Sequence, residues 1–568
     1  MPKNVMKLLK PSPHRARNDF DLSHRHVLDA NFGELLPITC IETVPGDNIS
    51  LHASDLIRAI PFVSSPFLRA KQHLDVWFVP YHDLWHQFDA FITQKKEPVS
   101  SAFQGASFCP HFTMYDMNDG LASNVLSTDV VGRPLQARAF DLLQLLGYGN
   151  ARNGHVGTGT NTFSVNPFRL AAYNYIWYNE YRQQYYDDGT RILPSNMSGN
   201  AAYLFNFDDL ACTSEATSNI GSQSYGSDRL AAMAQMRYRT WKKDLFTGVL
   251  PSSQFGNVST GSFDLTFISK YNTGQSYASS DKIGSWASGE SYTMPIRNSG
   301  GTAVGTIDGF SNVDILTLRK SEAVQIWREN ALRAGNHIKD NMLAHYGVAS
   351  DFNDHRPTYL GSVSAPLNIG DIATTANSSS GINTTVGDIA GKGLSSLSEK
   401  VFKFHAKDFG VIMVMFSMLP EAEYEANGID RCNQLLESED FFIPEYENLG
   451  LEGVGCVNFD VDTGVTGINT IFGYAPRYYA YKTKLDKVFG QFVGSGIFRT
   501  WCSQKTDVVQ IQSVVGTAAH LGLLYVKPQL FDPNFNVGVS TSPQFLVDVY
   551  FDVDAVRPMS VTGLPFSS

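Results

Sequence analysis

Two histidines, His82 and His86, lie four residues apart in "VPYHDLWHQF" (79–88), with Asp83 between them. On a helix this spacing stacks both imidazoles on one face, where they could hold zinc beside a carboxylate base. A hydrolytic zinc helix carries Glu at the inner position, and Asp is one methylene too short. It also needs a third ligand downstream. The stretch that follows, "QFDAFITQKKEP", offers Asp89 and Glu97 in no ligand spacing. A polar turn directly after a strand, with Leu84 or Trp85 packed inward, accounts for the same residues.

The other candidates weaken in the same way. "SHRH" (23–26) presents His24 and His26 as an H-x-H pair, which a cupin-type barrel would use for metal. That arrangement wants a Glu soon after and a later His, but Glu34 is too far along and Asp29 is the wrong acid. "GDIAGKGLSS" (387–396) resembles a phosphate loop, but only three residues separate Gly387 from Gly391. Gly393 also stands where the magnesium-binding hydroxyl belongs. No G-x-S-x-G elbow occurs. The expectation is therefore no catalysis, no metal and no cofactor.

The bulk composition fits that view. Of 568 residues, 43% are hydrophobic and only 17% charged, with Gly, Ser, Thr, Asn and aromatics making up the balance. Such a mixture suits a β-rich protein with long polar loops and surfaces covered by partners. The net charge of −11 argues against a generic nucleic-acid coat. The first 18 residues differ: they hold Lys3, Lys7, Lys10, Arg15 and Arg17, and the first acid is Asp19. Such an arm can lie along phosphate backbones. The six cysteines are scattered without a C-x-x-C pair, as in a reducing cytoplasm. The most apolar run, "FGVIMVMFSMLP" (409–420), is shorter than the ~18 residues of a membrane span. No targeting signal is visible at the N-terminus, so a soluble protein made in cytoplasm is expected.

The elements that would position these residues are mainly strands. "ELLPITCIETVPGDNISLHASDLIRAIPF" reads as strands broken by Pro and Gly turns. In "HLDVWFVP" (73–80), Leu74, Val76 and Phe78 share one face, and Pro80 ends the strand. In "QFLVDVYFDVDAV", Phe545, Val547, Val549, Phe551 and Val553 alternate with Asp548, Tyr550, Asp552 and Asp554. "FRLAAYNYIWYNEYRQQ" (168–184) reads as a helix with one apolar stripe and a polar opposite face. "LRKSEAVQIWRENALRAGNHIKDNMLAHYGV" (318–348) reads as two helical stretches separated at Gly335, with Ile326, Trp327 and Leu332 near helical spacing. Residues 256–310 are rich in Gly, Ser, Thr and Asn, with scattered aromatics, and read as a surface excursion with short strands. Residues 361–398 read as loop, and strands return from 399. Strands at both ends with insertions between them suit a β-sandwich.

Several stretches in order then carry a resemblance. "FDLSHRHVLDANFGELLPITCIETVPGD" (20–47), "VWFVPYHDLWHQFDAFI" (76–92) and "NPFRLAAYNYIWYNEYR" (166–182) are similar to stretches of the major capsid proteins of microviruses. So are "WKKDLFTGVLPSSQFG" (241–256), "FGYAPRYYAYKTKLDKVFGQF" (472–492) and "RPMSVTGLP" (557–565). Microviruses are small tailless phages with single-stranded DNA, and the chain resembles their gokushovirus-like branch most. His82, Leu245, Lys482 and Ser560 stand where that family often has Arg, Tyr, Arg and Pro.

The resemblance implies an eight-stranded antiparallel viral jelly roll with large loop and helical insertions. It implies a T=1 icosahedral shell of about 60 copies, built through pentamers by closed symmetry. It divides the chain into a basic arm (1–19), first strands (20–95), an insertion with helices (96–255), a threefold surface protrusion (256–310), a helical and loop insertion (311–398), and remaining strands with the C-terminus (399–568). Lys3, Lys7, Lys10, Arg15 and Arg17 would then face packaged single-stranded DNA. Tyr271, Tyr277, Trp286 and Tyr292 would sit on the protrusion that meets a bacterial host receptor. Scaffolding, small DNA-binding and pilot proteins of the same phage would be partners, with assembly in the host cytoplasm and no membrane insertion. The competing readings are a metal-dependent enzyme using His24, His26, His82 and His86, and a carbohydrate-binding β-sandwich.

Overall fold

Ten strands build two antiparallel sheets. They are β1 (Asn18–Asp21), β2 (His24–Ala30), β3 (Leu36–Thr43), β4 (Asn48–Ala59), β5 (Ala70–Pro80), β6 (Thr358–Pro366), β7 (Asn368–Ala373), β8 (Ile389–His405), β9 (Gly410–Pro420) and β10 (Phe545–Arg557). The first sheet runs β1-β10-β4-β8-β7, with β2 also on β10, and the second runs β6-β5-β9-β3. The computed structural model describes residues 17–93, 108–123, 136–149, 163–187, 201–253 (except 225), 268–271, 282–283, 293–297, 303–308, 315–334, 338–347, 356–373, 389–459, 471–503 (except 495), 524–539 and 542–561.

The alternating strand sits as its pattern demands. Phe545, Val547, Val549, Phe551 and Val553 of β10 are at most 1% exposed and face the second sheet's core residues. Each such burial is worth about 1.5–3 kcal/mol. Leu546 and Tyr550, on the other face, are 53% and 48% exposed. The second sheet is different, because both of its faces are covered. Its central strand β9 is buried from Gly410 to Met418, which is why its sequence is a continuous apolar run.

Helix α1 (Gln136–Leu145) precedes helix α2 (Phe168–Ile176), which forms the outer cover. The single apolar stripe expected for 168–184 is replaced by burial all round: Leu170 through Ile176 are all buried. Its polar members are satisfied inside. Asn174 Nδ2 donates to the Leu170 and Met233 carbonyls, both at 2.9 Å. The helix widens into a π-turn at Trp177–Tyr181. That turn places the Tyr181 hydroxyl between Trp77 Nε1 (2.9 Å) and Asp75 Oδ2 (2.8 Å). Arg239 donates to the same Asp75 oxygen at 2.9 Å and to Ser417 Oγ at 2.8 Å. This network ties the helical cover to β5 and β9.

Of residues 361–398, expected as loop, the described ones, 361–373 and 389–398, contribute strands instead, and 374–388 lie outside the described residues. β6 pairs with β5, and β7 pairs with the start of β8. Gly391 and Gly393 of the phosphate-loop look-alike are strand residues of β8. A Cβ at Gly393 would come within 2.7 Å of Ala59 Cβ, so this glycine allows close strand packing.

One acid crosses the sandwich. Asp55 of β4 accepts from Gln72 Nε2 of β5 at 3.0 Å, while its second oxygen has no partner. Burial pushes its carboxyl up to about 6, against the lowering effect of the Gln72 and Leu397 hydrogen bonds. A raised acid stabilises the fold fully below its unfolded pKa of 3.8, and that contribution is lost as pH rises through about 6. Asp55→Asn is therefore expected to raise stability at pH 7 by roughly 1–2 kcal/mol after allowance for partial solvation. The gain should vanish toward pH 4. Thermal melting at the two pH values checks the sign.

Residues 252–351 form a second compact unit. It holds a four-stranded antiparallel sheet in the order Ile268–Tyr271, Ala303–Asp308, Thr293–Arg297, Lys282–Ile283. It also holds helices α3 (Ile315–Ala334) and α4 (Ile338–Tyr346), whose Trp327 and His345 rings stack at 6.3 Å. Ile326 and Trp327, expected on an apolar stripe, are 53% and 56% exposed, whereas Leu332 is buried. Among the described residues no helix is long and apolar enough to cross a membrane.

Candidate assembly surfaces

The histidine pairs hold the fold rather than a ligand set. The helix after β5 is only Tyr81–Leu84, and Trp85 is already extended, so His82 and His86 share no helical face. His82 lies 3.3 Å from Asp83 and 3.2 Å from Asp408, whereas His86 lies 2.5 Å from Asp208. Leu84 and Trp85 are both fully buried. His24 and His26 point from β2 toward β3 and bridge the two sheets. His24 bonds the Leu22 carbonyl and Thr39 Oγ1, each at 2.8 Å, and His26 bonds the Ile38 carbonyl at 2.7 Å. Among the described residues no group of three or more His, Cys, Asp or Glu is placed to hold a metal ion.

All six cysteines are free thiols. Burial pushes Cys40 and Cys109 up to about 12 and Cys212 and Cys502 up to about 11. Thiols so disfavoured as thiolates are poor nucleophiles.

Of the basic arm, Arg17 is described: it is exposed and directly precedes β1. Lys3, Lys7, Lys10 and Arg15 lie outside the described residues. Tyr271 ends the first strand of the small four-stranded sheet. Tyr277, Trp286 and Tyr292 lie outside the described residues.

What the chain offers most clearly is open surface. The outer face of the first sheet is solvated and sorted by charge. Asp548, Asp552 and Asp554 project from β10, while Lys392, Lys400 and Lys403 project from β8 two strands away. Arg25 of β2 closes a bidentate pair with Asp548 at 2.6–2.7 Å, which holds that carboxyl below its usual range. A second apolar cluster, including Phe246, Tyr424, Phe459, Phe472 and Tyr479, supports the region from Tyr424 to Tyr479. The surface of this region and of the segment 489–497 is unusually apolar: Leu436 is 87% exposed, Ile497 77%, Phe489 66% and Leu449 64%. Beside it lies a hollow of about 560 Å³ lined by Phe67, Arg69, Glu423, Asp486, Lys487 and Phe492. Burial pushes Glu423 up to about 6 there, although Arg69 opposes the shift.

Sequence reading missed this region because its apolar residues follow no helical or strand period. The signal that could have found it is charge. No Lys, Arg or His occurs between Arg431 and Arg477, against Glu437, Glu439, Asp440, Glu445, Glu447, Glu452, Asp460 and Asp462.

Among the described residues no reacting constellation accompanies these surfaces, and similarity to known proteins decides what they are. Residues 10–141 and 151–566 match the family described as Capsid protein (F protein). The chain belongs to this phage capsid protein family. Capsid protein VP1 of Chlamydia phage 1 is 24% identical over 98% of this chain and 96% of its own length. Capsid protein VP1 of Bdellovibrio phage phiMH2K is 22% identical with the same coverage, 98% and 96%. The resemblance to microvirus, gokushovirus-like capsid proteins is thus shown over 98% of the chain. A capsid protein is a structural protein and not an enzyme, and its working sites are the surfaces that meet other copies. The exposed apolar region and the sorted charges of the first sheet suit that task better than any cleft chemistry.

Proposed function

We propose that this capsid protein closes a T=1 icosahedral shell of about 60 copies, built through pentamers, around a single-stranded DNA phage genome. The observation that carries the reading is the family match across 10–141 and 151–566, joined to the strand order. If β1 and β2 count as one edge strand, and β6 and β7 as one strand that changes sheets, eight strands divide into two sheets of four. That arrangement supports an eight-stranded jelly roll.

In this reading the basic arm, Lys3, Lys7, Lys10, Arg15 and Arg17, neutralises packaged DNA through its phosphates. The excursion 256–310, with Tyr271, Tyr277, Trp286 and Tyr292, forms a protrusion at the threefold axis and meets the host receptor. Scaffolding, small DNA-binding and pilot proteins of the phage assist, and assembly takes place in the host cytoplasm.

One experiment tests the whole reading. The chain is made together with its companion phage proteins, and particle mass is measured by light scattering with negative-stain imaging. Shells near ~4 MDa are expected from about 60 chains. Neutralising the five basic arm residues should lower nuclease-protected DNA, and deleting 257–309 should spare the shell but abolish host attachment. A stable monomer throughout would refute the shell. Unchanged DNA content would refute the arm's role, and failed assembly of the deletion would refute the protrusion.

A further inference from the structure

Two polar side chains meet in the dry interior between the sheets. Asp55 of β4 is 8% exposed and Gln72 of β5 is 1% exposed. Asp55 lies opposite Leu397 of β8 and Val549 of β10 in the first sheet. Gln72 lies opposite Ala365 of β6 and Met418 of β9 in the second. One bond joins them, from Gln72 Nε2 to Asp55 Oδ1 at 3.0 Å. That bond fixes the amide's orientation. Turning it over would set Gln72 Oε1 against Asp55 Oδ1, acceptor against acceptor. The other two atoms, Asp55 Oδ2 and Gln72 Oε1, are both buried and both lack a hydrogen-bond partner. Buried acceptors are normally satisfied, so two orphans on one bonded pair are costly.

The two orphans share one remedy. An ionised carboxylate only accepts, so Oδ2 and Oε1 cannot serve each other. A protonated carboxyl has an O–H to give. With the proton on Oδ2, Asp55 donates to Gln72 Oε1 while Oδ1 still accepts from Nε2. Acid and amide then close a ring of two hydrogen bonds. The surroundings favour the neutral acid, because burial is the main influence on this carboxyl. Charged neighbours stand aside. His52 and Arg58 of β4, Lys400 of β8 and Asp548 of β10 are on the outer face of the first sheet, and Glu399 is exposed. Lys71, His73 and Asp75 lie on the opposite face of β5. Strand β9 carries no titratable side chain, and β6 carries only Tyr359, beside Trp77. His26 and His24 face inward from β2, opposite Val549 and Phe551, and β10 separates them from β4.

We propose that Asp55 and Gln72 form a proton-operated clasp between the two sheets, closed by two hydrogen bonds when Asp55 is protonated and held by one when it is ionised. The clasp sits close to where the chain crosses from one sheet to the other, four residues before the end of β4 and two residues into β5. It is closed in mild acid and opens as pH rises through about 6, where the buried carboxyl loses its proton. Opening leaves two acceptors in a dry site and loosens the join between β4 and β5. The device belongs to the fold of the single chain, so it stands or falls independently of the shell.

Two substitutions test the clasp. Gln72→Met keeps the length of the side chain and removes both amide groups. Asp55→Asn puts an amide where the protonated acid stands, so the ring of two bonds stays closed at every pH. Denaturant unfolding of the full chain is measured at pH 5 and pH 8. Gln72→Met should lower the folding equilibrium constant by about tenfold more at pH 5 than at pH 8. In the Asp55→Asn background its effect should be equal at the two pH values, which controls for the titration of His24 and His26. A carboxylate held by a single charge-assisted bond gives the reverse, a larger loss at pH 8. A loss in the wild-type background that is equal at both pH values or larger at pH 8 overturns the clasp. Infrared difference spectra of wild type against Asp55→Asn supply a second measurement that does not depend on Gln72→Met folding. A protonated-carboxyl band is expected at pH 5 and should be gone at pH 8. No such band at pH 5 would mean that Asp55 stays ionised, and the proposal fails.

Discussion

Arg138→Ala is expected to destabilise the chain by about 3–5 kcal/mol, the usual result of stripping a partner from a buried charge pair. Arg138 comes from α1 and reaches into the turn between β2 and β3. Its guanidinium donates to both oxygens of Glu34, at 2.6 and 3.1 Å, to Asp29 at 2.7 Å and to Asp141 at 3.0 Å. Glu34 is fully buried and also accepts from the backbone and side-chain nitrogens of Asn31, both at 3.0 Å. Burial alone would lower the Arg138 pKa, but Glu34 and Asp29 outweigh it and the net shift is upward. Alanine would leave the Glu34 carboxylate in a dry site without its cation. Lysine keeps the charge and loses the fork, so Arg138→Lys should fall between. Thermal midpoint and soluble yield measure the effect. An Ala variant that melts like the wild type would show that the carboxylates find other partners.

Gly33→Ala is the second large effect, about 2–5 kcal/mol. Gly33 has φ +75, and an added Cβ would lie 2.5 Å from Val526 Cβ and 2.7 Å from the Val526 carbonyl oxygen. A left-handed backbone disfavours any side chain by about 1–2 kcal/mol, and overpacking adds about 1–3 kcal/mol. The position is also pinned: its N–H donates to the Met418 carbonyl at 2.9 Å, and its carbonyl accepts from the Arg239 N–H at 2.8 Å. Escape by local movement would break both bonds. Gly490→Ala supplies the control. It has φ +67 but nothing within 4 Å of the added Cβ, so only the backbone penalty of about 1–2 kcal/mol remains. Equal melting of the two variants would show that contact with Val526 is not the cause.

Gly33 and Glu34 both lie in "NFGELLP", part of one of the stretches that carried the family resemblance. The sequence marks this turn, yet the reason for Glu34 becomes visible only when Arg138, far along the chain, is folded against it. The same division runs through the molecule. The β10 strand was legible because a period of two needs only neighbouring residues to show which face is inside. The long helix-like pattern at 168–184 was legible as a helix but not as a buried one. Its Asn174 and Asn179 look like a solvent face until their partners, the carbonyls of Leu170, Met233 and Tyr175, are in place. The loop reading failed at 361–373 and 389–398 for a related reason. Gly and Ser in β8 are small so that β4 and the Phe62 region can approach closely, and composition cannot tell that use from a linker.

By itself the sequence determined the capsid family, the dominance of strands, and the weakness of every metal and nucleophile motif. Those properties rest on local order: alternation, turn residues and motifs a few residues long. The tertiary structure alone decided which sheet each strand joins, that His24 and His26 bridge two sheets, and that among the described residues the outer face of one sheet is solvated while the other is covered. It alone left Leu436, Leu449, Phe489 and Ile497 exposed. Burial and partnership are set by residues hundreds of positions apart, and an apolar side chain shows its purpose only when the fold has left it outside.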